Sequence, residues 1–258
     1  MKIALCVKQV PDTSKIKWTE NNTMQREGVE SILNPYDVYA TEYALKLKNN
    51  YGAEITVFSM GPNQAKDMLK GLVAIGVDNG VLISDKKFAG SDTYATGKTI
   101  ANSIKKVLPD FDLIICGQFA IDGDTAQTGP CIASMLNIPQ VTFCKEITSV
   151  KNGFVEVTRE LDDGFETVKV KLPAVVCVLQ SDFEPTRAKI NGIIKAQNTE
   201  IKTVTIDDIG LTPEEAGLRG SPTYVSKAFR PEIKHQTEKY TDNGADIIIN
   251  KIKEVLSE

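Results

Sequence analysis

The feature of the sequence that most constrains the fold is an alternation of short apolar runs with longer amphipathic stretches up to residue 137. The apolar runs have the length of buried β-strands, and they lie at residues 2–8, 54–59, 80–84 and 111–117. The stretches after them carry apolar residues at helical spacing, which predicts helices at 34–51, 64–75, 93–107 and up to about 137. Strands that alternate with helices in this way form right-handed crossovers and a parallel sheet.

From about residue 140 the pattern changes to short β-like runs separated by the turn pairs Asn152-Gly153 and Asp163-Gly164. Such runs predict an antiparallel meander, and a further buried strand is expected at 172–179. We therefore predict an α/β domain over residues 1–206. It would have a Rossmann-like parallel sheet with helices on both faces and an antiparallel β extension at about 140–172.

The C-terminal part of the chain is expected to leave this domain. Residues 207–242 are rich in Pro, Gly, Thr and charge, and a final helix at 244–256 places Ile248, Ile252 and Val255 on one face. Residues 207–258 are therefore predicted to be an arm and helix that wrap onto a partner subunit. Residues 182–196 combine charge with apolar side chains, which fits either a loop that reaches a partner or one that packs on its own domain.

Composition excludes several classes of function. The net charge of −4 argues against a nucleic-acid surface, and no apolar run reaches the length of a membrane span. Five cysteines without a CxxC pair suit a reducing, cytoplasmic location and are expected to be small core residues rather than metal ligands. With His235 as the single histidine, no catalytic triad is expected, and no signal peptide precedes the first strand.

The stretch after the strand at 111–117 is the strongest candidate for a ligand site. Residues 117–129 form a loop rich in small and hydroxyl side chains that leads into a helix. The first N–H groups of a helix have no partner within it, so such a loop can receive phosphate, although an ordinary strand-to-helix connection has the same pattern. The common phosphate-loop motifs are absent. The loops 8–13, 59–62 and 84–93 are expected at the same sheet edge.

Five motifs occur in order and together resemble the beta subunit of electron transfer flavoproteins, over essentially the whole chain. They are Val7-Lys8-Gln9-Val10-Pro11-Asp12, Asn34-Pro35-Tyr36-Asp37, Ser59-Met60-Gly61-Pro62, the run from Ala120 to Gly129, and Glu184-Pro185 with Ile193-Ile194-Lys195-Ala196.

The resemblance implies a heterodimer with an alpha subunit that holds one FAD. The beta subunit holds a second adenine nucleotide, which is AMP in respiratory members and FAD in electron-bifurcating and nitrogen-fixation-linked members. In the latter, NAD(H) exchanges a hydride with this FAD. One electron then passes through the alpha-subunit FAD to a dehydrogenase, and the other passes to ferredoxin or flavodoxin. The first two motifs are similar to those of the bifurcating members, so FAD is expected here and AMP is the alternative.

The resemblance also implies site residues. Contacts to the cofactor are expected from Cys6, Lys8, Asp12, Asn34, Asp37, Met60, Gly61, Asp92, Thr93, Thr96, Cys116, Gly117, Gln118, Ala120, Ile121, Asp122, Gly123, Asp124, Thr125, Ala126, Gln127, Thr128 and Gly129. Contacts to a dehydrogenase of the acyl-CoA or 2-hydroxy-acid type are expected from Glu184, Pro185, Ile190, Ile193 and Ile194. No side chain is expected to perform acid–base catalysis, because the flavin carries the redox chemistry.

Within this set, individual roles differ. Thr125 to Gly129 are expected to donate hydrogen bonds to the pyrophosphate, and Asp122 and Asp124 either to accept hydrogen bonds from ribose or to stiffen the turn. Lys8 is either a cation beside the flavin or phosphate, or a solvated lysine. One departure is notable: bifurcating relatives commonly have Arg-Gln where this chain has Gln118-Phe119, so a cation expected beside the flavin is missing.

Overall fold

The computed structural model describes residues 1–12, 17–18, 24–25, 30–226, 240 and 242–256. Most of the arm predicted beyond residue 226, and most of the irregular hairpin predicted within 14–33, lie outside these ranges. Helices are α1 (Pro35–Tyr51), α2 (Ala65–Ile75), α3 (Thr93–Val107), α4 (Thr128–Leu136), α5 (Ile190–Asn198) and α6 (Gly244–Leu256). Strands are β1 (Lys2–Cys6), β2 (Gln9–Pro11), β3 (Lys17–Trp18), β4 (Met24–Gln25), β5 (Ser31–Leu33), β6 (Glu54–Met60), β7 (Asn79–Ile83), β8 (Leu113–Gly117), β9 (Gln140–Lys151), β10 (Phe154–Leu161), β11 (Gly164–Lys171), β12 (Ala174–Val178) and β13 (Lys202–Val204).

A nine-stranded sheet in the order β11-β10-β9-β12-β8-β1-β6-β7-β13 forms the centre of the molecule. Neighbours from β9 across to β13 run parallel, whereas β9, β10 and β11 pair antiparallel. This confirms the predicted α/β fold and its antiparallel extension. The chain moves outward from β1 through β6 and β7, then returns to β8 on the other side of β1. Open parallel sheets bind ligands at such a switch in direction, outside the carboxyl ends of the strands.

Helices cover both faces of the sheet, as predicted. Alternate residues of β1 show the two layers: Ile3 and Leu5 belong to an apolar cluster under α1 and α2, and Ala4 and Cys6 to one under α3 and α4. Because side chains alternate across a strand, a strand buried on both faces must be apolar throughout. All five residues of β12 are accordingly buried.

Two helix ends show typical capping chemistry, and the start of α1 does not. Gly52 ends α1 in the left-handed conformation, at φ 64°, and the Asp92 side chain accepts a hydrogen bond from the N–H of Ala95 at the start of α3. Asn34 occupies the predicted N-cap position of α1, but its side chain makes no capping hydrogen bond. Its amide is used elsewhere, as described below.

Two expectations about local structure were wrong, and one strand was not predicted. The predicted loop at 8–13 contains β2, which pairs antiparallel with β5 in a separate two-stranded sheet where Pro11 is tolerated at the strand end. The predicted docking loop 182–196 contains the start of α5, because Gly192 allows this helix to lie against α2: a Cβ at Gly192 would be 2.0 Å from the Ala74 carbonyl oxygen. The strand β13, which extends the sheet beyond β7, was not expected at all.

The first part of the C-terminal segment packs on the domain. Ile209 and Ala216 are buried in the cluster under α3 and α4, and the Lys98 ammonium of α3 contacts the Glu215 carboxylate at 2.7 Å. An arm that leaves the domain stays a prediction for the residues that follow. None of the side chains of α6 is buried. Across the described ranges, no helix is long and apolar enough to cross a membrane.

Candidate functional site: a cleft at the carboxyl edge of the sheet

A cavity of about 760 Å³ lies at the carboxyl ends of β1, β6, β7 and β8. The four loops that the sequence placed at this edge contribute to its lining. Its volume falls in the upper part of the range of roughly 300–1,000 Å³ that is typical of small-molecule sites. Cys6, Cys116, Ile100 and Ile132 form its apolar floor, and polar loop residues form its walls.

The loop between β8 and α4 has a backbone that suits an anion. Asp124 and Ala126 have left-handed backbone angles, φ 51° and φ 55°, and Gln127 is right-handed. Alternation of this kind turns successive N–H groups toward one concavity. Among the described residues, the N–H groups of Thr125 to Thr128 have no backbone acceptor, and these four residues line the cavity. The loop therefore offers a cradle of unpaired donors, which fits phosphate.

Gly129 lets α4 approach the sheet at the end of this loop. A Cβ at this position would lie 2.3 Å from the Cys177 sulfur and 2.9 Å from the Cys116 sulfur, far inside van der Waals contact. Gly123, by contrast, has nothing within 4 Å of its Cβ position. The two glycines therefore differ in role: Gly129 is required by packing, and Gly123 is not.

Three cysteines lie side by side beneath the loop. Cys6, Cys116 and Cys177 occupy the same register position on β1, β8 and β12, and the sulfurs of Cys116 and Cys177 are 3.6 Å apart. Burial raises the pKa of the Cys6 thiol, and the contact with Cys177 together with burial raises that of Cys116. The thiols of Cys6 and Cys116 are therefore neutral at ordinary pH and form part of the apolar floor. Nowhere in the described ranges do three His, Cys, Asp or Glu side chains group as a metal site.

The start of α1 holds the loop from the other side of the sheet. The Asn34 Nδ2 donates to the carbonyl of Phe119 at 2.8 Å, and its Oδ1 accepts from the N–H of Ile121 at 3.2 Å. Asn34 is buried, and this two-point contact explains why its amide does not cap α1. Both polar atoms of the Asn34 side chain therefore help to fix the loop, and the residue also lines the cavity.

Asp37, one turn further along α1, joins two strand ends. Its carboxylate accepts from the N–H of Lys8 at 2.7 Å and from that of Gly117 at 3.0 Å. Burial raises the pKa of Asp37 to about 7, against the opposing effect of these donors. A buried carboxyl that bridges β1 and β8 therefore lies directly behind the cavity.

Lys8 is not a free cation. Its ammonium lies 2.7 Å from a carboxylate oxygen of Asp122, and both side chains are partly exposed. The pair ties the loop after β1 to the loop after β8. Asp122 therefore accepts from Lys8 and stiffens the turn, one of the two roles considered for it, and part of the charge of Lys8 is balanced before any ligand binds.

Gln118 has a structural contact at the position of the missing arginine. It is buried, and its Oε1 accepts from the N–H of Phe143 at 2.7 Å. Phe143 has φ 56°, in the left-handed region that a bulky residue rarely adopts, at an irregularity in β9. Its ring lies 6.0 Å from that of Phe119, which in turn lies 5.4 Å from the ring of Tyr36. Gln118 thus holds an aromatic cluster in place.

Most residues predicted to contact a cofactor line this cavity. Those that do are Cys6, Lys8, Asn34, Asp37, Met60, Gly61, Asp92, Thr93, Thr96, Cys116, Gly117, Gln118, Ala120, Gly123, Asp124, Thr125, Ala126, Gln127, Thr128 and Gly129. Asp12, Ile121 and Asp122 are not part of the lining. The N–H of Asp12 donates to the Glu30 carbonyl between β2 and β5, away from the loop.

The wall of the cavity at residues 84–93 contains more residues than the sequence predicted. The segment 84–93 contributes Ser84, Asp85, Lys86, Phe88, Ala89, Gly90 and Ser91 besides the predicted Asp92 and Thr93. The segment follows an apolar strand, which was enough to predict that the loop lies at this edge of the sheet. It was not enough to predict which of its residues line the cavity. Thr93 joins the two walls, because its hydroxyl donates to the Gln127 Oε1 at 2.9 Å.

The residues predicted to dock a partner lie on the surface near the start of α5. Ile190, Ile193 and Ile194 are 77%, 46% and 51% exposed, and Glu184 and Pro185 are also exposed. All five lie outside the cavity lining, and the three isoleucines lie on α5, which packs on α2.

Fold and cleft together define an α/β protein whose parallel sheet carries an anion-accepting site at its carboxyl edge. Residues 21–209 match the family model described as the electron transfer flavoprotein domain. The chain belongs to the electron transfer flavoprotein family and, within it, groups with the beta subunits.

Relatives cover nearly the whole chain. The electron transfer flavoprotein subunit beta of Clostridium acetobutylicum is 43% identical over 98% of both chains. The caffeyl-CoA reductase-Etf complex subunit CarD of Acetobacterium woodii is 42% identical over 98% of both chains. Protein FixA of Azorhizobium caulinodans is 36% identical over 98% of this chain and 94% of its own.

Proposed function

We propose that this chain is the beta subunit of an electron-bifurcating electron transfer flavoprotein, with FAD in the cleft at the carboxyl edge of the sheet. The observation that carries the proposal is the loop after β8: four N–H groups without backbone acceptors line a cavity of about 760 Å³. The cavity extends from this loop to the wall at residues 84–93, and its volume accommodates a ligand as large as a dinucleotide.

The donor set fits such a cofactor. The unpaired N–H groups at 125–128 are complementary to a pyrophosphate, and the floor formed by neutral thiols and isoleucines is complementary to an apolar ring. Asp124 is exposed at the rim, where a carboxylate can accept hydrogen bonds from ribose hydroxyls without being forced onto the phosphate.

A bound flavin would supply hydride and single-electron chemistry, for which NADH is the proposed donor. The residues of this chain bind and orient it. Asn34 and Asp37 fix the loop, the pair Lys8–Asp122 ties the loop to β1, and Gly129 sets the distance between α4 and the sheet. No described side chain needs to move a proton for this role.

The proposed partners follow from the exposed apolar helix faces and from the relatives. An alpha subunit carrying the second FAD would cover α6, and a flavin-dependent dehydrogenase of the acyl-CoA or 2-hydroxy-acid type would dock on Ile190, Ile193 and Ile194. Ferredoxin or flavodoxin would accept the other electron. A relative in Acetobacterium woodii is named as a subunit of a caffeyl-CoA reductase complex, which supports a dehydrogenase-type partner.

Cofactor stoichiometry tests the proposal. The chain is co-expressed with its alpha subunit, the purified complex is denatured, and the released nucleotides are separated and quantified. Two FAD molecules per heterodimer, together with reduction of both by NADH, are expected. One FAD and one AMP would overturn the bifurcation proposal and identify a simple electron carrier of the same family.

A further inference from the structure

The wall of the cavity at residues 84–93 is held in place from outside by the C-terminal segment. Ser84 donates its N–H to the Val204 carbonyl at 2.9 Å, and the Asp85 carboxylate accepts from the N–H of Ile206 at 3.3 Å. Residues 216–223, here named the strap, then pass over the middle of the wall. Leu218 donates its N–H to the Ala89 carbonyl at 3.0 Å.

The strap lies so close to the wall that its backbone leaves no room for a side chain at one point. A Cβ at Gly217, which has φ 59°, would lie 2.1 Å from the Lys87 carbonyl oxygen. On the other side of the contact, a Cβ at Gly90 would lie 3.2 Å from the Leu218 Cβ. The close approach of the two segments therefore requires glycine at Gly217, whereas at Gly90, which has φ 76°, the contact is tight rather than prohibitive.

Two hydroxyl side chains fasten the strap to Asp92. Ser221 Oγ accepts from the N–H of Asp92 at 2.8 Å and donates to the Gly217 carbonyl at 2.7 Å. Thr223 donates both its N–H, at 2.9 Å, and its hydroxyl, at 2.7 Å, to the Asp92 Oδ2. The other carboxylate oxygen of Asp92 caps α3 through the N–H of Ala95 at 3.0 Å. One carboxylate thus joins the strap to the start of α3.

This contact continues to the phosphate-receiving loop. Thr93 and Thr96, in the first turn of α3, line the cavity, and the Thr93 hydroxyl donates to Gln127 in the loop after β8. In the other direction, the strap leads to Tyr224 and Val225, which are 76% and 84% exposed, and onward to α6, none of whose side chains is buried. The strap therefore lies between the cavity and the part of the chain that offers apolar side chains to a partner.

We propose that Ser221 and Thr223 are positioning residues of the nucleotide cavity. Through Asp92 they couple binding of the nucleotide to binding of the alpha subunit by the residues beyond 223. This inference rests on the proposed function. Each contact orders the same short stretch of backbone, so a ligand that orders the wall also orders the strap. Because such coupling is reciprocal, nucleotide and partner each strengthen binding of the other.

The test compares the substitutions Thr223→Val, Thr223→Ser and Thr205→Val in the chain complexed with its alpha subunit, with FAD as the probe. Thr205 is a matched control, because its N–H and hydroxyl donate to the Asp208 Oδ2 at 2.8 and 2.7 Å, outside the cavity lining. Release is followed by measuring the FAD retained per heterodimer over time, from two molecules toward the one held by the alpha subunit. We expect Thr223→Val to accelerate release about threefold to tenfold, as for loss of one hydrogen bond, while the other two stay within about twofold of wild type.

Equal rates in Thr223→Val and wild type, or equal acceleration by Thr205→Val, would overturn the inference. A wild-type complex that holds FAD only on the alpha subunit, and none in this chain, would overturn the proposed function itself, so the two failures are distinct. Should Thr223→Val fail to fold, hydrogen exchange of the wild-type complex decides. We expect removal of FAD to accelerate exchange both at 84–93 and at 216–223. An exchange rate at 216–223 that does not change on removal of FAD would contradict the coupling.

Discussion

The loop at 117–129 and the outer faces of the helices α5 and α6 both carry groups without partners, but the groups differ in kind and in how they are supported. The loop leaves N–H groups unpaired, yet contacts from Asn34, Asp37, Lys8 and Thr93 fix its shape. The helix faces leave isoleucines exposed, and nothing in the described chain covers them. The described chain therefore builds the cavity from its own residues, whereas its apolar helix faces are the surfaces on which we propose that partners dock, because contact with water is unfavourable for them.

The largest effect is expected where the cavity depends on packing. Gly129→Ala places a Cβ 2.3 Å from the Cys177 sulfur, which forces α4 and the loop away from the sheet. We expect the affinity for FAD to fall about tenfold or more, since overpacking costs roughly 1–3 kcal/mol. Gly123→Ala is the matched control because its Cβ meets nothing within 4 Å. Titration of the nucleotide-free complex with FAD measures both.

A second variant makes this prediction sharper. If the clash with sulfur is the cause, Cys177→Ala combined with Gly129→Ala recovers part of the lost affinity. The same loss of affinity in Gly123→Ala, or no recovery in the double variant, would show that the loss comes from substitution in the loop rather than from the clash with Cys177.

Asp37 is expected to make stability depend on pH. Its pKa is about 7 in the folded chain, against about 4 in an unfolded one, so between these values the folded chain binds more protons. Its contribution to the free energy of unfolding is therefore present below about pH 4, falls as pH rises to about 7, and is constant above that. Denaturant titrations at a series of pH values, compared with Asp37→Asn, should show a difference on the order of a few kcal/mol. Parallel profiles of the two proteins would rule this out.

Asn34→Ala tests the two-point support of the loop. It removes the hydrogen bonds to Phe119 and Ile121 and leaves their backbone groups without partners, so FAD affinity should fall about tenfold, at roughly 0.7 kcal/mol for each bond. Asn79→Ala is the control, because that amide contacts Glu54 at 3.1 Å on an exposed edge. Equal affinities for Asn34→Ala and Asn79→Ala would contradict a supporting role.

The smallest effect on the cavity is expected from the helix face. Ile190→Asp should slow electron delivery to the dehydrogenase about tenfold, as for loss of one apolar anchor, and should leave FAD affinity and NADH reduction unchanged. Phe165→Asp is the control, since Phe165 is also exposed, at 65%, but lies on β11. Equal slowing by both variants, assayed with the purified dehydrogenase, would argue against a specific docking face.

Apolar periodicity was sufficient to predict the sheet and the helices on both sides of it. Runs such as 113–117 and 174–178 are apolar at every position because they are buried on both faces. The periodicity failed at α5, although Ile190, Ile193 and Ile194 have helical spacing. Gly192 lowers helix propensity, and only its close packing on Ala74 compensates for this. The strand β13 has three residues and forms because β7 offers an open edge.

The sequence by itself determined the location of the site, because the carboxyl ends of parallel strands meet at one edge whatever the loops contain. It also predicted that helices begin near residues 34 and 93. Only the tertiary structure decided which groups the side chains of Asn34 and Asp92 contact. Asn34 contacts a loop 85 residues away in the chain, and Asp92 contacts Thr223, which is 131 residues away. Local rules govern the backbone near each residue, whereas the partners of a polar side chain depend on which distant segments packing brings within hydrogen-bonding distance.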